Sequence, residues 1–265
     1  PILIFFFVSL VTASAQETPY VPCLEMPKII SNYYADIDAL NNVYIVGFSP
    51  ERNQRFKTLA QSYLVKLGKI DFNNLPQGCK ADYALFKRNL NGDVADSDKE
   101  SMDFQTMKSW FPFADSIYAL EKLRRRGGLV DAQLVASNFS KIIKEINVLK
   151  VKVELNKEIG LSQARIAKKI SDGLWDALQN INVFYSAYDP QYTWWIPNLF
   201  SDLISALGSY SQTIKSSTDK NITSLDNTGI KGFPIGKEDL IRQLKYELIN
   251  YTPEELIAIA NKEFT

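Results

Sequence analysis

The side chains that most often carry enzymatic chemistry are unevenly represented in this chain. Its 265 residues include no histidine, whereas 30 are aspartate or glutamate and two are cysteine. Histidine is the usual general base near neutral pH and the commonest metal ligand, so Ser-His-Asp and Cys-His catalysis are excluded within these residues. Catalytic zinc sites normally use at least one histidine as well. The sequence therefore predicts no catalytic, cofactor-binding or metal-binding residue in this chain.

Carboxylates and aromatic rings leave one histidine-free chemistry open, the hydrolysis of sugars. Two carboxyl groups that flank a glycosidic bond can cleave it, and Trp194 or Trp195 could stack on a sugar ring or on a peptide side chain. No spacing among the acidic residues singles out a pair. Because adjacent residues at a helix start point to different sides, we expect at most one of these tryptophans to line a cleft and the other to anchor the core.

Two charged strings resemble phosphate-binding motifs only in part. GIKGFPIGKED, at 229–239, lacks the glycine spacing of a P-loop, and no serine or threonine follows Lys237. It predicts a loop that leads into a helix. The three arginines at 124–126 fit the end of a helix, where cations complement the helix dipole. Since 30 basic residues balance 30 acidic ones, no long-range field attracts nucleic acid, and we expect no nucleic-acid partner.

The start of the chain predicts secretion. Residues 2–11 are a run of ten apolar or small side chains, too short to span a bilayer, and the small residues at 13–15 fit a signal-peptidase site. We assign 1–15 to a signal peptide truncated at its start, because the positively charged segment that should precede it is missing. The alternative is a buried apolar strand or helix. After cleavage we expect a periplasmic or secreted protein that no longer contacts the membrane.

Cys23 and Cys79 are the only cysteines of the chain. In an oxidising compartment they could form a disulfide. The sequence alone does not show whether their Cα atoms lie close enough for a disulfide. A disulfide and two unrelated cysteines therefore both remain open.

From Pro27 onward the hydrophobic periodicity is helical almost throughout, which predicts an all-α array of about nine to ten amphipathic helices. An aromatic, proline-bounded connection is predicted at 189–197, and a polar loop at 216–236 is long enough to suggest a lid or rim segment. The predicted helices are 27–41, 50–67 before Gly68, a third around 83–90 that ends before Asn91-Gly92, 104–123 broken at Pro112, 130–157, 162–187, 196–215, 237–249 and a last one from Thr252.

The last helix has a well-defined start. Thr252 can act as the N-cap, Pro253 suits the first helical position, and Glu255 completes a capping box. No C-cap residue follows, so we expect this helix to be cut at Thr265 and the region 16–265 to be an incomplete domain. Helical spacing predicts one face built for burial, formed by Leu256, Ile259, Ala260 and Phe264.

The segment IGKEDLIRQLKYELINYTPEELIAIANKEF, at 235–264, resembles the secreted bacterial family known as domain of unknown function 885. ADYALFKRNL at 81–90, FPFADSIYALEKLRRR at 111–126 and DPQYTWWIP at 189–197 agree with that family in order. The resemblance covers roughly residues 28–265. It implies a helical zinc metallopeptidase whose His-Glu-x-x-Pro-Gly-His type of motif lies further along a longer parent chain. Zinc and a peptide substrate are therefore expected in the parent, while this chain supplies the cleft wall.

Two functional hypotheses follow from different classes of protein. In the first, the chain is the non-catalytic N-terminal fragment of a secreted or periplasmic zinc-dependent peptidase, serving as scaffold and substrate-cleft wall and inactive alone. In the second, it is a complete helical binding or scaffold protein of the cell envelope that lacks catalysis. A fragment should expose the apolar face of its last helix and associate, whereas a complete protein should unfold cooperatively on its own.

Overall fold

The computed structural model describes residues 23–155, 159–219 and 235–264. Within these ranges the chain forms ten α-helices and two short 3-10 segments, with no strand, so the predicted all-α array is confirmed. The predicted signal peptide lies outside the described residues. The helices are α1 (Glu25–Val43), α2 (Pro50–Leu67), α3 (Gln77–Met107), α4 (Ala114–Arg125), α5 (Ala132–Leu155), α6 (Leu161–Ser186), α7 (Pro190–Trp195), α8 (Pro197–Asp219), α9 (Lys237–Tyr246) and α10 (Pro253–Glu263).

Two hydrophobic cores organise these helices, and α3 takes part in both. The first core joins α1, α2 and the first half of α3 around Tyr33, Tyr63 and Phe86. The second core joins the end of α3 with α4 to α8 around residues such as Phe111 and Tyr210. None of the described helices is both long enough and apolar enough to cross a membrane.

Cys23 and Cys79 form a disulfide, with 5.0 Å between their Cα atoms. This bond resolves the question that the sequence left open. It ties the residues just before α1 to the first turn of α3, beside the first core. A disulfide of this kind typically stabilises a fold by about 2–4 kcal/mol.

The predicted end of the third helix before Asn91-Gly92 is wrong, because α3 continues for 31 residues to Met107. Asn91 remains compatible with the helix because its side-chain amide donates to the carbonyl oxygen of Lys87 at 2.8 Å. Glycine costs about 1 kcal/mol relative to alanine inside a helix. Here it provides space, since a Cβ at Gly92 would lie 2.9 Å from the Tyr246 ring of α9.

The remaining boundaries differ from the prediction in smaller ways. The break near Pro112 is confirmed, with the 3-10 segment Lys108–Trp110 before it and α4 after it. The connection predicted at 189–197 contains the short helix α7, which begins because the Asp189 carboxylate accepts from two backbone N–H groups. Helix α8 extends to Asp219, and the rest of the predicted lid or rim loop, at 220–234, lies outside the described residues.

The loop between α1 and α2 packs directly against α6. Val46 belongs to the second core although it follows α1. Gly173 of α6 is required at this contact, because a Cβ there would overlap the carbonyl oxygen of Gly47. The two cores are therefore joined by a close backbone contact as well as by α3.

Helices α9 and α10 lie at the edge of the molecule, and neither contains a buried residue. The predicted helix start at Lys237 is confirmed, as is the capping box of α10, in which the Glu255 amide donates to Thr252 Oγ1 at 3.2 Å. The apolar face of α10 is exposed, as the fragment hypothesis expects. Ile259 is 44% exposed and Phe264 is 92% exposed, because no other described helix covers this face.

Candidate functional site

A cavity of about 400 Å³ opens between α1, α2 and α3. We call it the α1–α3 groove. Its aromatic lining comes from Tyr33 and Tyr34 of α1 and from Phe56 of α2. Its polar lining includes Arg52 of α2 and several carboxyl groups of α3. An aromatic wall facing charged side chains is typical of sites that hold a polar ligand with an apolar part.

The aromatic wall rests on the first core. Tyr33 is 2% exposed, and its ring packs edge to face against Tyr63 at 5.0 Å and Phe86 at 5.4 Å between centroids. Tyr34 is half exposed and contacts Tyr33 with 5.6 Å between centroids. Because the buried ring is held by the core, the exposed ring next to it has a fixed support.

Three acidic residues of α3 share one face of the helix. Asp93, Asp96 and Glu100 follow one another at intervals of three and four residues, which places their side chains side by side. Tyr33 donates its hydroxyl proton to Asp93 Oδ2 at 2.7 Å. Asp96 pairs with Arg242 of α9 at 2.9 Å between Oδ1 and Nη2. The acidic face therefore connects the aromatic wall with α9.

Two of these carboxyl groups have raised pKa values. Burial raises the pKa of Asp93, and the hydrogen bond from Tyr33 opposes this only in part. Burial likewise raises the pKa of Glu100 more than the nearby positive charges of Arg52 and Lys169 lower it. A cationic ligand in the groove would favour the ionised carboxylates and would offset the desolvation that raises these pKa values.

Arg52 lies opposite the acidic face and is held in place by several contacts. Its guanidinium donates to the carbonyl oxygen of Tyr44 at 3.1 Å and to Asn41 Oδ1 at 2.8 Å. It also lies 4.0 Å from the centroid of the Phe56 ring. Among the lining residues three carboxyl groups stand against one guanidinium, so the lining favours a positively charged ligand over an anionic one, even though Asp96 is also paired with Arg242 of α9.

The two tryptophans singled out by the sequence do not line this groove. Trp194 is 82% exposed and Trp195 is 44% exposed, so the expectation that one of them anchors the core is wrong. Tyr192 and Ile196 are fully buried instead. These two residues are four positions apart and share the inner face of the short helix, which turns both tryptophans outward.

The arginines at 124–126 end α4, as predicted. Arg124 forms a two-point contact with the buried Glu121, at 2.7 Å from both carboxylate oxygens. Arg125 donates to Glu51 of α2 at 2.8 Å. These two side chains serve ion pairs within the fold, so a phosphate-binding patch is not favoured at this position.

The groove residues were missed by the sequence interpretation for a specific reason. With a helix end assigned at Asn91, the acids at 93, 96 and 100 had no helical register in which their spacing could be recognised. Tyr33 and Tyr34 fall in the hydrophobic periodicity of α1, which gives no sign that the hydroxyl of Tyr33 bonds to a residue 60 positions away. A helix predicted to continue past Asn91 would have placed these three acids on one face.

The donor set of this chain does not fit zinc. The chain has no histidine, and both cysteines are used in the disulfide. Within the described ranges, no group of three or more aspartate, glutamate or cysteine residues is arranged to hold a metal ion.

Comparison of the chain with protein-family models, with curated proteins and with solved structures found no match in any of the three. Membership of the domain of unknown function 885 family therefore stays a prediction that rests on the sequence resemblance alone.

Proposed function

We propose that the chain is the non-catalytic, helical N-terminal region of a secreted or periplasmic zinc-dependent peptidase, and that the α1–α3 groove forms part of the wall of its substrate cleft. The observation that carries the proposal is the groove itself, where an exposed aromatic ring on a rigid support faces a row of carboxyl groups. The Cys23–Cys79 disulfide supports an extracytoplasmic location, because such bonds persist in oxidising compartments.

The lining of the groove matches the chemistry of a basic peptide. Tyr34 and Phe56 offer apolar surface for side chains, while backbone N–H groups and a terminal amine or lysine side chain would find acceptors at Asp96 and Glu100. The groove holds a peptide without cleaving it, since the catalytic zinc and its ligands belong to the parent outside this chain. Binding here would position the peptide relative to that centre.

Peptide binding is tested with two fluorescently labelled, unstructured peptides of equal length, one alternating lysine and leucine and the other alternating glutamate and leucine. The lysine peptide should bind and the glutamate peptide should not, in an anisotropy titration at low ionic strength. Glu100→Gln combined with Asp96→Asn should weaken binding about tenfold, since each lost charge contact contributes of the order of 1 kcal/mol. Glu154→Gln on α5, an exposed carboxylate outside the groove, is the matched control. Equal binding of both peptides would overturn the groove assignment.

The peptidase part of the proposal needs a separate measurement. Antibodies raised against the chain should capture, from its native source, a protein that contains stoichiometric zinc and cleaves the lysine peptide. The chain alone should bind no stoichiometric zinc and hydrolyse nothing. If the captured protein lacks zinc and activity but still binds the peptide, the peptidase proposal fails and the helical binding protein becomes the better description.

A further inference from the structure

A second cavity, of about 170 Å³, opens between α2 and α3. We call it the α2–α3 crevice. Asn53, Ser97 and Glu100 line both cavities, so the crevice lies directly beside the α1–α3 groove. Its volume is smaller than the range of about 300–1,000 Å³ that is usual for whole ligands. The crevice therefore suits a single long side chain of a ligand that lies in the groove.

Two contacts hold α2 against α3 along the crevice. The Asn53 side-chain amide donates to the carbonyl oxygen of Ser97 at 2.8 Å, where the crevice meets the groove. Lys57 and Asp98, which also line the crevice, form an ion pair with each other. Because this pair is neutral as a unit, it gives the crevice no net charge.

Glu100 carries the remaining charge of the lining. The residue is half-buried, and among the described residues its carboxylate forms no hydrogen bond and no ion pair. Arg52 and Lys169 are close enough to lower its pKa, but burial, with a smaller effect of Asp103, raises the pKa more. A cationic donor placed directly at this carboxylate would favour the ionised form and would supply the missing hydrogen bonds.

Two phenylalanine rings form the apolar side of the crevice. Phe104 of α3 is 5% exposed and belongs to the second core. Phe48, in the loop before α2, has a φ of 52°, which residues with a bulky side chain rarely adopt. Its ring packs against the second core, and Nζ of Lys169 lies 5.3 Å from its centroid. The two rings therefore offer a fixed surface to the methylene groups of a long side chain.

Side-chain amides add hydrogen-bonding groups to the lining. Gln54 of α2 and Gln105 of α3 both line the crevice. Gln54 donates through Nε2 to Thr58 Oγ1 at 3.1 Å, so its amide oxygen is left to accept a hydrogen bond. An arginine guanidinium has five N–H donors in a planar fork, whereas a lysine ammonium is a compact point charge. A carboxylate with further acceptors around it therefore favours arginine over lysine.

We propose that the α2–α3 crevice takes an arginine side chain of a peptide that lies in the α1–α3 groove. The guanidinium meets the Glu100 carboxylate and the Gln54 amide oxygen, and the methylene stem packs on Phe48 and Phe104. The inference rests on the proposed function, because the rest of the peptide must lie in the groove. It adds the residue by which the peptide is selected.

Anisotropy titrations at low ionic strength test the proposal with three labelled peptides that differ only in a central residue: arginine, lysine or citrulline, the neutral isostere of arginine. All other positions are serine or leucine. The arginine peptide should bind about tenfold more tightly than the citrulline peptide and several-fold more tightly than the lysine peptide. Glu100→Gln should remove most of the difference between arginine and citrulline, while Glu154→Gln, an exposed acid on α5, should preserve it.

A second pair of variants tests where the arginine binds. Ser101 of α3 is exposed and lines the crevice but not the groove. Ser101→Phe should fill the crevice and abolish the preference for arginine, while the peptide of alternating lysine and leucine still binds in the groove. Thr106→Phe, at an exposed position of the same helix outside both cavities, should leave the preference unchanged.

The outcomes separate this inference from the groove assignment. The inference is overturned if the arginine and citrulline peptides bind equally, or if Ser101→Phe, folded by circular dichroism, keeps the preference for arginine. In either case the groove assignment stands as long as the lysine–leucine peptide binds more tightly than the glutamate–leucine peptide. If those two peptides bind equally, the groove assignment fails and this inference fails with it.

Discussion

At the residue scale, two buried serines show how local partners decide what a hydroxyl contributes. Ser49, between α1 and α2, is 8% exposed and donates to the carbonyl oxygen of Val46 at 2.9 Å. Ser171, inside α6, is comparably buried but has no partner among the described residues. The same substitution should therefore destabilise the fold at Ser49 but not at Ser171.

Ser49→Ala should lower the free energy of unfolding by about 0.5–1.5 kcal/mol, because it removes a buried hydrogen bond. Ser171→Ala should leave it unchanged or raise it by up to about 1 kcal/mol, because it removes an unsatisfied hydroxyl and favours the helix. Urea unfolding followed by circular dichroism measures both. A loss of stability in Ser171→Ala equal to that in Ser49→Ala would show that the Ser171 hydroxyl has a partner.

Local sequence signals predicted the contacts that are local in the fold. The capping box joins Thr252 and Glu255, which are three positions apart, and their residue types fully specify it. The bond between Tyr33 and Asp93 joins residues 60 positions apart, and no local pattern encodes it. The candidate groove depends on contacts of this second kind, which is why the sequence predicted the helices but not the site.

At the element scale, α3 shows why a turn signal can fail inside a helix. Asn-Gly favours a turn when the chain has no competing partner. Here residues on both sides pack into the two cores, Leu90 into the first and Phe104 into the second. The Arg88 guanidinium also donates to the carbonyl oxygen of Tyr246 of α9 at 3.0 Å. The Tyr246 hydroxyl donates in turn to Asn89 Oδ1 at 3.3 Å. Burial and these contacts outweigh the cost of a glycine.

Gly92→Ala separates helix propensity from this contact. Alanine should favour α3 by about 1 kcal/mol, but its Cβ would lie 2.9 Å from the Tyr246 ring and should displace α9. We expect faster amide hydrogen exchange in α9 and α10 with little loss of global stability. Gly208→Ala, whose Cβ meets open space, is the matched control and should stabilise without any change in exchange of α9. Unchanged exchange in Gly92→Ala would show that the ring adapts and that Gly92 is not needed for docking.

At the scale of the whole molecule, the two cores are joined by three kinds of contact. Helix α3 runs through both, the loop at Gly47 meets α6, and ion pairs link α2 with α4. In the last of these, Glu51 of α2 accepts from Arg125 at 2.8 Å and lies 3.3 Å from Lys122 of α4. Since Glu51 of α2 is the residue that both of these α4 cations contact across the two cores, its protonation should loosen the connection between them.

The pKa of Glu51 sets the pH range in which this happens. Partial burial would raise its pKa, but Arg125 and Lys122 together lower it below the usual value. A lowered folded-state pKa means that the stabilisation is complete above the unfolded-state pKa of about 4.3 and is lost as the pH falls through the folded-state value. The stability of the parent chain should therefore decline at acidic pH relative to a variant that cannot titrate at this position.

Glu51→Gln should lower the free energy of unfolding at pH 7 by no more than about 1 kcal/mol, because solvent partly screens the pair. The difference from the parent chain should shrink as the pH falls below the unfolded-state pKa of about 4.3 and through the lowered folded-state pKa of Glu51. Urea unfolding at these pH values measures it, with Glu154→Gln on α5 as the exposed control. A difference that stays constant from pH 7 to pH 3 would mean that Glu51 acts through packing, and the link between the two cores would then be α3 and the Gly47 contact without an ionic part.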